Sequence, residues 1–284
     1  MKYKFLLILA ILFIYASSCE EEVIIEPFNH AAQAIKDNDS LVKYFQTHFV
    51  NTEGELEEMT EETTGETLLI DDPKLENEIV KYSLGGEEID LTLYHYVVIE
   101  GSVSDTVTRV DQAHIKYKGM TLDHDEFERN DYGLWRDLYS GVIPGWSYGM
   151  LHFKKGIKNA LIDETYEYLE GGTGFLFIPS GLAYKNSGEL ANKPIIFKVT
   201  LNDIFHTDHD KDGVLSMYEV EEGGKYVDLD TDGDSLPNFV DNDDDGDGVL
   251  TEDENADPDG DGNPSDAVDT NRNGTPDYLD STTP

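Results

Sequence analysis

Val142-Ile143-Pro144-Gly145-Trp146 is followed further along the chain by Phe177-Ile178-Pro179-Ser180-Gly181-Leu182-Ala183-Tyr184. Pro144 suits the first turn of a helix, where its missing N–H costs nothing and its φ is already helical. The stretch through His152 therefore reads as a short helix that Gly156 stops. On either side the period changes. Leu91-Thr92-Leu93-Tyr94-His95-Tyr96-Val97-Val98, within Ile89 to Ile99, is β-branched and aromatic. Strand-like runs recur at His114 to Tyr117, Gly174 to Ile178 and Ile195 to Leu201. Several strands with one short helix predict an α+β domain with an antiparallel sheet.

Before that domain, Asp39 or Ser40 is expected to cap a short helix whose Leu41, Val42, Phe45 and Phe49 form one apolar stripe that docks on it. Asn51 to Glu66, rich in Glu and Thr with little apolar periodicity, reads as a mobile linker. The chain opens with Lys2 and Lys4, an apolar run from Phe5 to Tyr15, then Ala16-Ser17-Ser18-Cys19. The run is shorter than the roughly 20 residues of a spanning helix and reads as an export signal. Its end resembles a bacterial lipobox, which implies cleavage before Cys19 and lipidation of that thiol. Cys19 is the only cysteine, so no intramolecular disulfide exists. Glu20-Glu21-Glu22 resembles the acidic tether of surface-displayed lipoproteins in Bacteroidetes. The expected location is the bacterial outer membrane, at the cell surface or the periplasmic face. The expected divisions are 1–18 signal, 19–87 tether, helix and linker, 88–205 main domain, and 206–284 acidic tail.

The 284 residues are 38% apolar, enough for a core of ordinary size, and carry 60 acidic against 20 basic residues for a formal charge of −40. Such a surface repels phosphate backbones, which excludes nucleic acid as a partner. From Asp208 to Pro284 there are 25 acidic and 3 basic residues, a density that either stays solvated or is neutralised by cations.

From Glu88 to Phe205 the chain resembles the FKBP-type peptidyl-prolyl cis-trans isomerases in five blocks, in the family's order. Ala113-His114-Ile115-Lys116-Tyr117-Lys118-Gly119 resembles the strand ending in Tyr-x-Gly, and Phe127-Glu128 stands where the family has Phe-Asp. Val142 to Trp146 is similar to Val-Ile-x-Gly-Trp, Phe177 to Tyr184 to the Ile-Pro-x-x-Leu-Ala-Tyr block, and Ile196-Phe197-Lys198-Val199 to the last strand. Taken singly, Tyr117, Phe127, Trp146, Tyr184 and Phe197 share no period and read as core aromatics. The resemblance implies instead an antiparallel sheet wrapped around the short helix, with these residues converging on a proline-sized pocket. It makes Trp146 the floor and Tyr117, Phe127, Val142, Ile143 and Phe197 the walls. The Ile143 N–H and the Tyr184 hydroxyl would hold the substrate's carbonyl oxygens. Three departures are visible: Glu128 for the usual Asp, a longer Ile157 to Gly172 read as an extra hairpin, and a shorter loop before Phe197, in which Leu190 substitutes as wall. The implied reaction needs no cofactor, and its substrates are proline-containing polypeptides.

Asp208 to Glu219 fits the 12-residue EF-hand loop: Asp208, Asp210, Asp212 and Ser216 as oxygen ligands, Gly213 at the turn, the Val214 carbonyl, and Glu219 at position 12. Asp243 to Glu254 repeats it with Asp245, Asp247, Val249 and Thr251 in the same roles. Variants without the glutamate run through Asp230, Asp232, Asp234, Leu236, Asn238 and Asp241, and through Asp269, Asn271, Asn273, Thr275, Asp277 and Asp280. Asp257, Asp259 and Asp261 begin an incomplete fifth. The later starts recur every 12 to 14 residues and resemble thrombospondin type 3 repeats, in which Ca2+ replaces a hydrophobic core. Pro237, Pro258, Pro264 and Pro276 exclude long helices there, so turns wrapped around ions are expected. An unstructured acidic tail would not keep glycine and the closing carboxylate in register. The eight histidines show no zinc-ligand spacing.

Three functions follow: a lipid-anchored prolyl isomerase for exported or envelope proteins, a proline-segment chaperone or scaffold using the same pocket, and a calcium-rigidified surface or adhesion protein. The pocket residues favour the first over the third.

Overall fold

The computed structural model describes residues 28–283 apart from 64, 163–164 and 221–228, so the expected leader, Cys19 and the Glu20 to Glu22 tether lie outside the described residues. Helix α1 (His30–Phe45) precedes a small hairpin of β1 (His48–Val50) and β2 (Leu56–Glu58). Six longer strands follow in one sheet: β3 (Leu75–Leu84), β4 (Glu87–Ile99), β5 (Gln112–Thr121), β6 (Glu126–Asp137), β9 (Gly172–Ile178) and β10 (Ile195–Phe205). Between β6 and β9 come α2 (Pro144–Gly149) and the hairpin of β7 (Ile157–Ala160) with β8 (Tyr166–Leu169), which is the extra hairpin expected there. The sheet is antiparallel throughout, in the order β3-β4-β9-β10-β5-β6. The fold is α+β with an antiparallel sheet and few helices, as expected. No described helix is long and apolar enough to cross a membrane.

Both faces of the sheet are covered, which explains why β9 is apolar at nearly every position. Alternate residues serve opposite sides: Leu176 and Ile178 join the cluster with Trp146 and Met150, while Phe175 and Phe177 join the one with Leu41, Tyr44 and Phe45 of α1. Helix α2 lies unusually close to β9. A Cβ on Gly145 would stand 2.4 Å from Ile178, and one on Gly149 2.6 Å from Leu176. These two glycines set the depth at which Trp146 sits.

Several boundaries differ from the sequence reading. Helix α1 begins well before Asp39, because the Asn29 side chain accepts from Ala32 N at 2.8 Å and caps the first turn. Asp39 and Ser40 are exposed positions inside the helix, and Phe49 belongs to β1. Leu56–Glu58, in the expected linker, pairs with β1, its single apolar residue turned into the core. The sheet starts at Leu75, ahead of the boundary expected at residue 88. β3 is an edge strand whose mixed composition hid it, joined to β4 across Gly85 and Gly86, both at positive φ.

Helix α1 is tied to the Pro179 to Tyr184 turn by one buried carboxylate. Asp37 accepts Ser180 N at 2.7 Å, Ser180 Oγ at 2.6 Å and Gln33 Nε2 at 2.8 Å. Burial pushes its pKa up, against those hydrogen bonds. Asp37→Ala leaves two buried Ser180 donors without an acceptor, so urea denaturation should show a loss of about 1–3 kcal/mol.

Candidate functional site

The pocket is assembled from both edges of the helix–sheet contact. Trp146 projects from α2, with Val142 and Ile143 just before it. Tyr117 comes from β5, Glu128 from β6, Phe197 from β10, and Tyr184 from the turn after β9. The rings meet edge to face: Tyr117 and Trp146 centroids are 4.9 Å apart, Trp146 and Phe197 5.0 Å. Phe197 pairs across the ladder with Gly119, where an added Cβ would lie 2.7 Å from both Phe197 and Phe127. The Tyr-x-Gly spacing thus reserves room for both rings.

These residues line an open cavity of about 510 Å³, with Trp146 buried beneath it. Seven of the nine expected pocket residues line it. Phe127 is set back, its ring edge-on to Phe197 at 5.6 Å and to Tyr184 at 6.0 Å, so it supports the wall rather than forming it. Leu190 is not part of the lining. Arg136, Ser140 and Gly141 are lining residues the sequence reading missed, because Arg136 lies on an edge strand of mixed composition.

The longer arm of Glu128 is used at the rim. Its Oε1 accepts the Tyr117 hydroxyl at 2.7 Å, and burial together with that carboxylate pushes the Tyr117 pKa up, with Arg136 opposing. Burial also raises the Tyr184 pKa, so this phenol remains a hydrogen-bond donor at neutral pH. Helix α2 does not use the Ile143 N–H, while the Ile143 carbonyl accepts Trp146 N at 2.9 Å. Ile143 and Tyr184 thus line the same cavity as Trp146.

The tail is a chain of five turns with a common design and no α-helix among its described residues. In each turn the first Asp accepts a backbone N–H from position 6, as Asp208 does from Gly213 at 3.3 Å and Asp257 from Gly262 at 2.6 Å. Ser235 does this in the second turn, at φ +82, where the other turns use glycine. The position-5 side chains accept from position 7, as Asp212 does from Val214 at 2.8 Å. These bonds face carboxylate oxygens inward. Asp208, Asp210 and Asp212 come together, as do Asp230, Asp232 and Asp234, and Asp243, Asp245 and Asp247, each set with oxygens within 4.8 Å of one another. Glu219 and Glu254 are buried, with no hydrogen-bond partner for either oxygen. Such a donor set, all hard oxygen, fits Ca2+.

Other expected ligands have different work. Ser216, Asn238, Thr251 and Asp277 each accept the N–H of position 2 in their own turn, Asn238 from Thr231 at 2.9 Å and Asp277 from Thr270 at 2.8 Å. Their oxygens close the turn. In the last turn Asp280 is satisfied by Asn271 Nδ2 at 2.7 Å and Asn273 Nδ2 at 2.8 Å, and its pKa is lowered by Thr282 and these amides. Two neutral amides in place of carboxylates let that turn close on itself, and Asp269, Thr275 and Asp280 form no acidic cluster among the described residues. In the incomplete repeat, Asp266 joins Asp257 and Asp259 in place of Asp261. Asp244 and Asp266 were not among the expected ligands, because neither falls at an EF-hand position.

The tail also touches the pocket's rim. His209 Nε2 lies 3.2 Å from Asp137 Oδ2, while Asp137 Oδ1 accepts Tyr139 N at 2.8 Å and Ser140 N at 3.0 Å. Phe239 packs edge-on against Tyr139 at 4.9 Å and sits with Val110 and Val220 in a separate cluster. The segment leading to Ser140 and Gly141 is therefore held from the tail side.

Residues 104–202 match the family described as FKBP-type peptidyl-prolyl cis-trans isomerase, and residues 209–266 match one described as BamM C-terminal. Residues 104–202 are thus similar to the FKBP type. Among particular proteins, the chain is similar to the FKBP-type peptidyl-prolyl cis-trans isomerase FkpA of Escherichia coli strain K12, and to that of strain O157:H7. Each is 31% identical over 115 residues, covering 38% of this chain and 37% of the relative. The similarity spans little more than a third of the length of these relatives. A crystal structure of FkpA from Escherichia coli aligns at 21% identity and TM-score 0.36 over 61% of this chain and 60% of that one. A peptidyl-prolyl cis-trans isomerase from Pseudomonas syringae pv. tomato aligns at 16% identity and TM-score 0.38, over 63% and 98%.

Without cations the tail's carboxylates are held above their ordinary range. Burial, then Asp212 and Asp244, pushes Glu219 up to about 11; burial, then Asp212, pushes Asp244 up to about 9; burial, then Asp245, pushes Glu254 up to about 7. Each binds its proton more tightly folded than unfolded. The ion-free tail is therefore most stable below the ordinary carboxylate pKa and loses that stability as pH rises through the raised values. In chelator, hydrogen-exchange protection factors, corrected for the intrinsic pH dependence of amide exchange, should be high for residues 208–220 and 229–280 at pH 4 and low at pH 8, and calcium at pH 8 should restore them.

Proposed function

We propose that the chain is a peptidyl-prolyl cis-trans isomerase acting on exported or envelope polypeptides, anchored by lipid on Cys19 and stiffened by Ca2+ in its tail. The observation that carries the reading is the cavity walled by Tyr117, Val142, Ile143, Tyr184 and Phe197 over the Trp146 indole.

Rotating an X–Pro bond breaks no covalent bond, and its barrier of about 18–20 kcal/mol is lost amide resonance. No nucleophile or base is required. A planar amide is more polar than a twisted one, so the aromatic floor around Trp146 disfavours the ground state relative to the transition state. The Ile143 N–H and Tyr184 hydroxyl fix the flanking carbonyls while the proline ring stays on Trp146. Glu128, engaged by Tyr117, shapes the rim. Uncatalysed exchange takes tens to hundreds of seconds, slow enough to limit the folding of an exported chain.

The tail's part is mechanical. Ions holding its first turns keep His209 and Phe239 against Asp137 and Tyr139, and so keep Ser140 and Gly141 at the cavity wall. The leading signal run and Ala16-Ser17-Ser18-Cys19 support export and lipidation, which lipid-precursor labelling of wild type and Cys19→Ala tests.

The deciding measurement is prolyl exchange on Xaa–Pro peptides with calcium present and then chelated. The wild-type chain should accelerate exchange. Tyr184→Phe should lower kcat/KM about threefold to tenfold, corresponding to one hydrogen bond of about 0.5–1.5 kcal/mol. Chelation should slow the reaction further without unfolding the central sheet. A folded wild type that accelerates nothing would leave the pocket as a binding site for proline segments.

A further inference from the structure

Asp244 lies at position 2 of the second EF-hand-like turn, where the loop pattern assigns no ligand. Its N–H serves that turn, donating to Thr251 Oγ1 at 3.3 Å. Its side chain does not: the carboxylate points back to the first turn and meets Asp212 and Glu219, with ligand oxygens of all three within 4.8 Å of one another. All three residues are almost fully enclosed, Asp212 and Asp244 at 2% exposure and Glu219 at 3%.

Neither oxygen of Glu219 or Asp244 has a hydrogen-bond partner, nor has Asp212 Oδ2; Asp212 Oδ1 is already taken by Val214 N. Among the described residues no Lys, Arg or His pairs with any of the three. Three carboxylates facing one another out of water repel strongly unless a positive charge lies between them. Oxygens that bind one calcium ion at about 2.3–2.6 Å can be no more than about 5 Å apart, which the observed spacing meets. Ser216, the expected position-9 ligand, is engaged by His209, so the first turn lacks an oxygen that Asp244 supplies.

Building on the calcium reading above, we propose that a divalent cation is clasped between the first and second turns by Asp212, Glu219 and Asp244. The ligand set belongs to neither turn alone. The ion joins Asp208–Glu219, which carries His209, to Asp243–Glu254, which is separated from Phe239 and Val240 by Asp241 and Asn242. Both contacts to the pocket's rim are then secured by one ion.

The test uses the full chain and calcium alone. Asp244→Asn removes a ligand charge but keeps the side chain's size, while Asp253→Asn, exposed in the same turn, is the control. Native mass spectrometry and calorimetry should show one calcium fewer, or one site weakened at least tenfold, in Asp244→Asn and an unchanged isotherm in Asp253→Asn. In chelator the effect should reverse: Asp244→Asn relieves the repulsion, and residues 208–220 should exchange more slowly than in wild type. An isotherm identical to wild type would overturn the clasp while leaving calcium binding intact, and so would faster exchange in both conditions, which marks a merely structural side chain. No calcium heat in the wild type would remove the underlying reading itself.

Discussion

Gly145 and Gly149 let the backbone of α2 rest directly on Ile178 and Leu176, and the pocket depends on that contact. A side chain at either position would lift the helix and with it the Trp146 indole that Tyr117 and Phe197 meet edge-on. The same strand is pinned from the opposite face by Phe45 and Tyr44 of α1, whose rings lie 4.9 and 6.1 Å from Phe177. Packed on both sides, β9 has no freedom to shift, and interiors at this density transmit rather than absorb displacement. The N-terminal helix is thereby part of the site's support: Asp37 holds the turn that leads to Tyr184.

The tail is built on the opposite principle. Its buried apolar residues are few, Val214, Ala256 and Tyr278 in one cluster and Val220 and Phe239 in another. Ordering a backbone costs about 1–2 kcal/mol per residue, which such small clusters do not offset. Its order instead comes from carboxylates that accept backbone N–H groups: Asp208, Asp230, Asp257 and Asp269 with both oxygens, and Asp212 and Asp247 with one, leaving the other without a partner. Such a fold gathers acidic oxygens where the sheet gathers apolar side chains. Their meeting point is Asp137, which bonds to His209 on one side and to the Tyr139 and Ser140 amides on the other.

Local designs were legible in the sequence: the short helix opened by Pro144, the apolar strands, and the tail turns with glycine at the positive-φ sixth position in four of five, Ser235 holding it in the other. These follow from neighbours along the chain. The sequence by itself did not determine that Asn29 rather than Asp39 starts α1, or that Leu75–Leu84 is an edge strand, because mixed composition leaves such segments to be decided by what they pack against. The aromatic pocket carried no period at all; only the resemblance to a family brought Tyr117, Trp146 and Phe197 together beforehand, and Arg136 was missed. In the tail, spacing found the first, third and fifth positions but not that position 9 is consumed in closing the turn, nor that Asp244 leaves its own turn for the neighbouring one. Spacing describes one loop, whereas burial and charge compensation arise between loops, so tertiary structure alone decided which oxygens remain free for an ion.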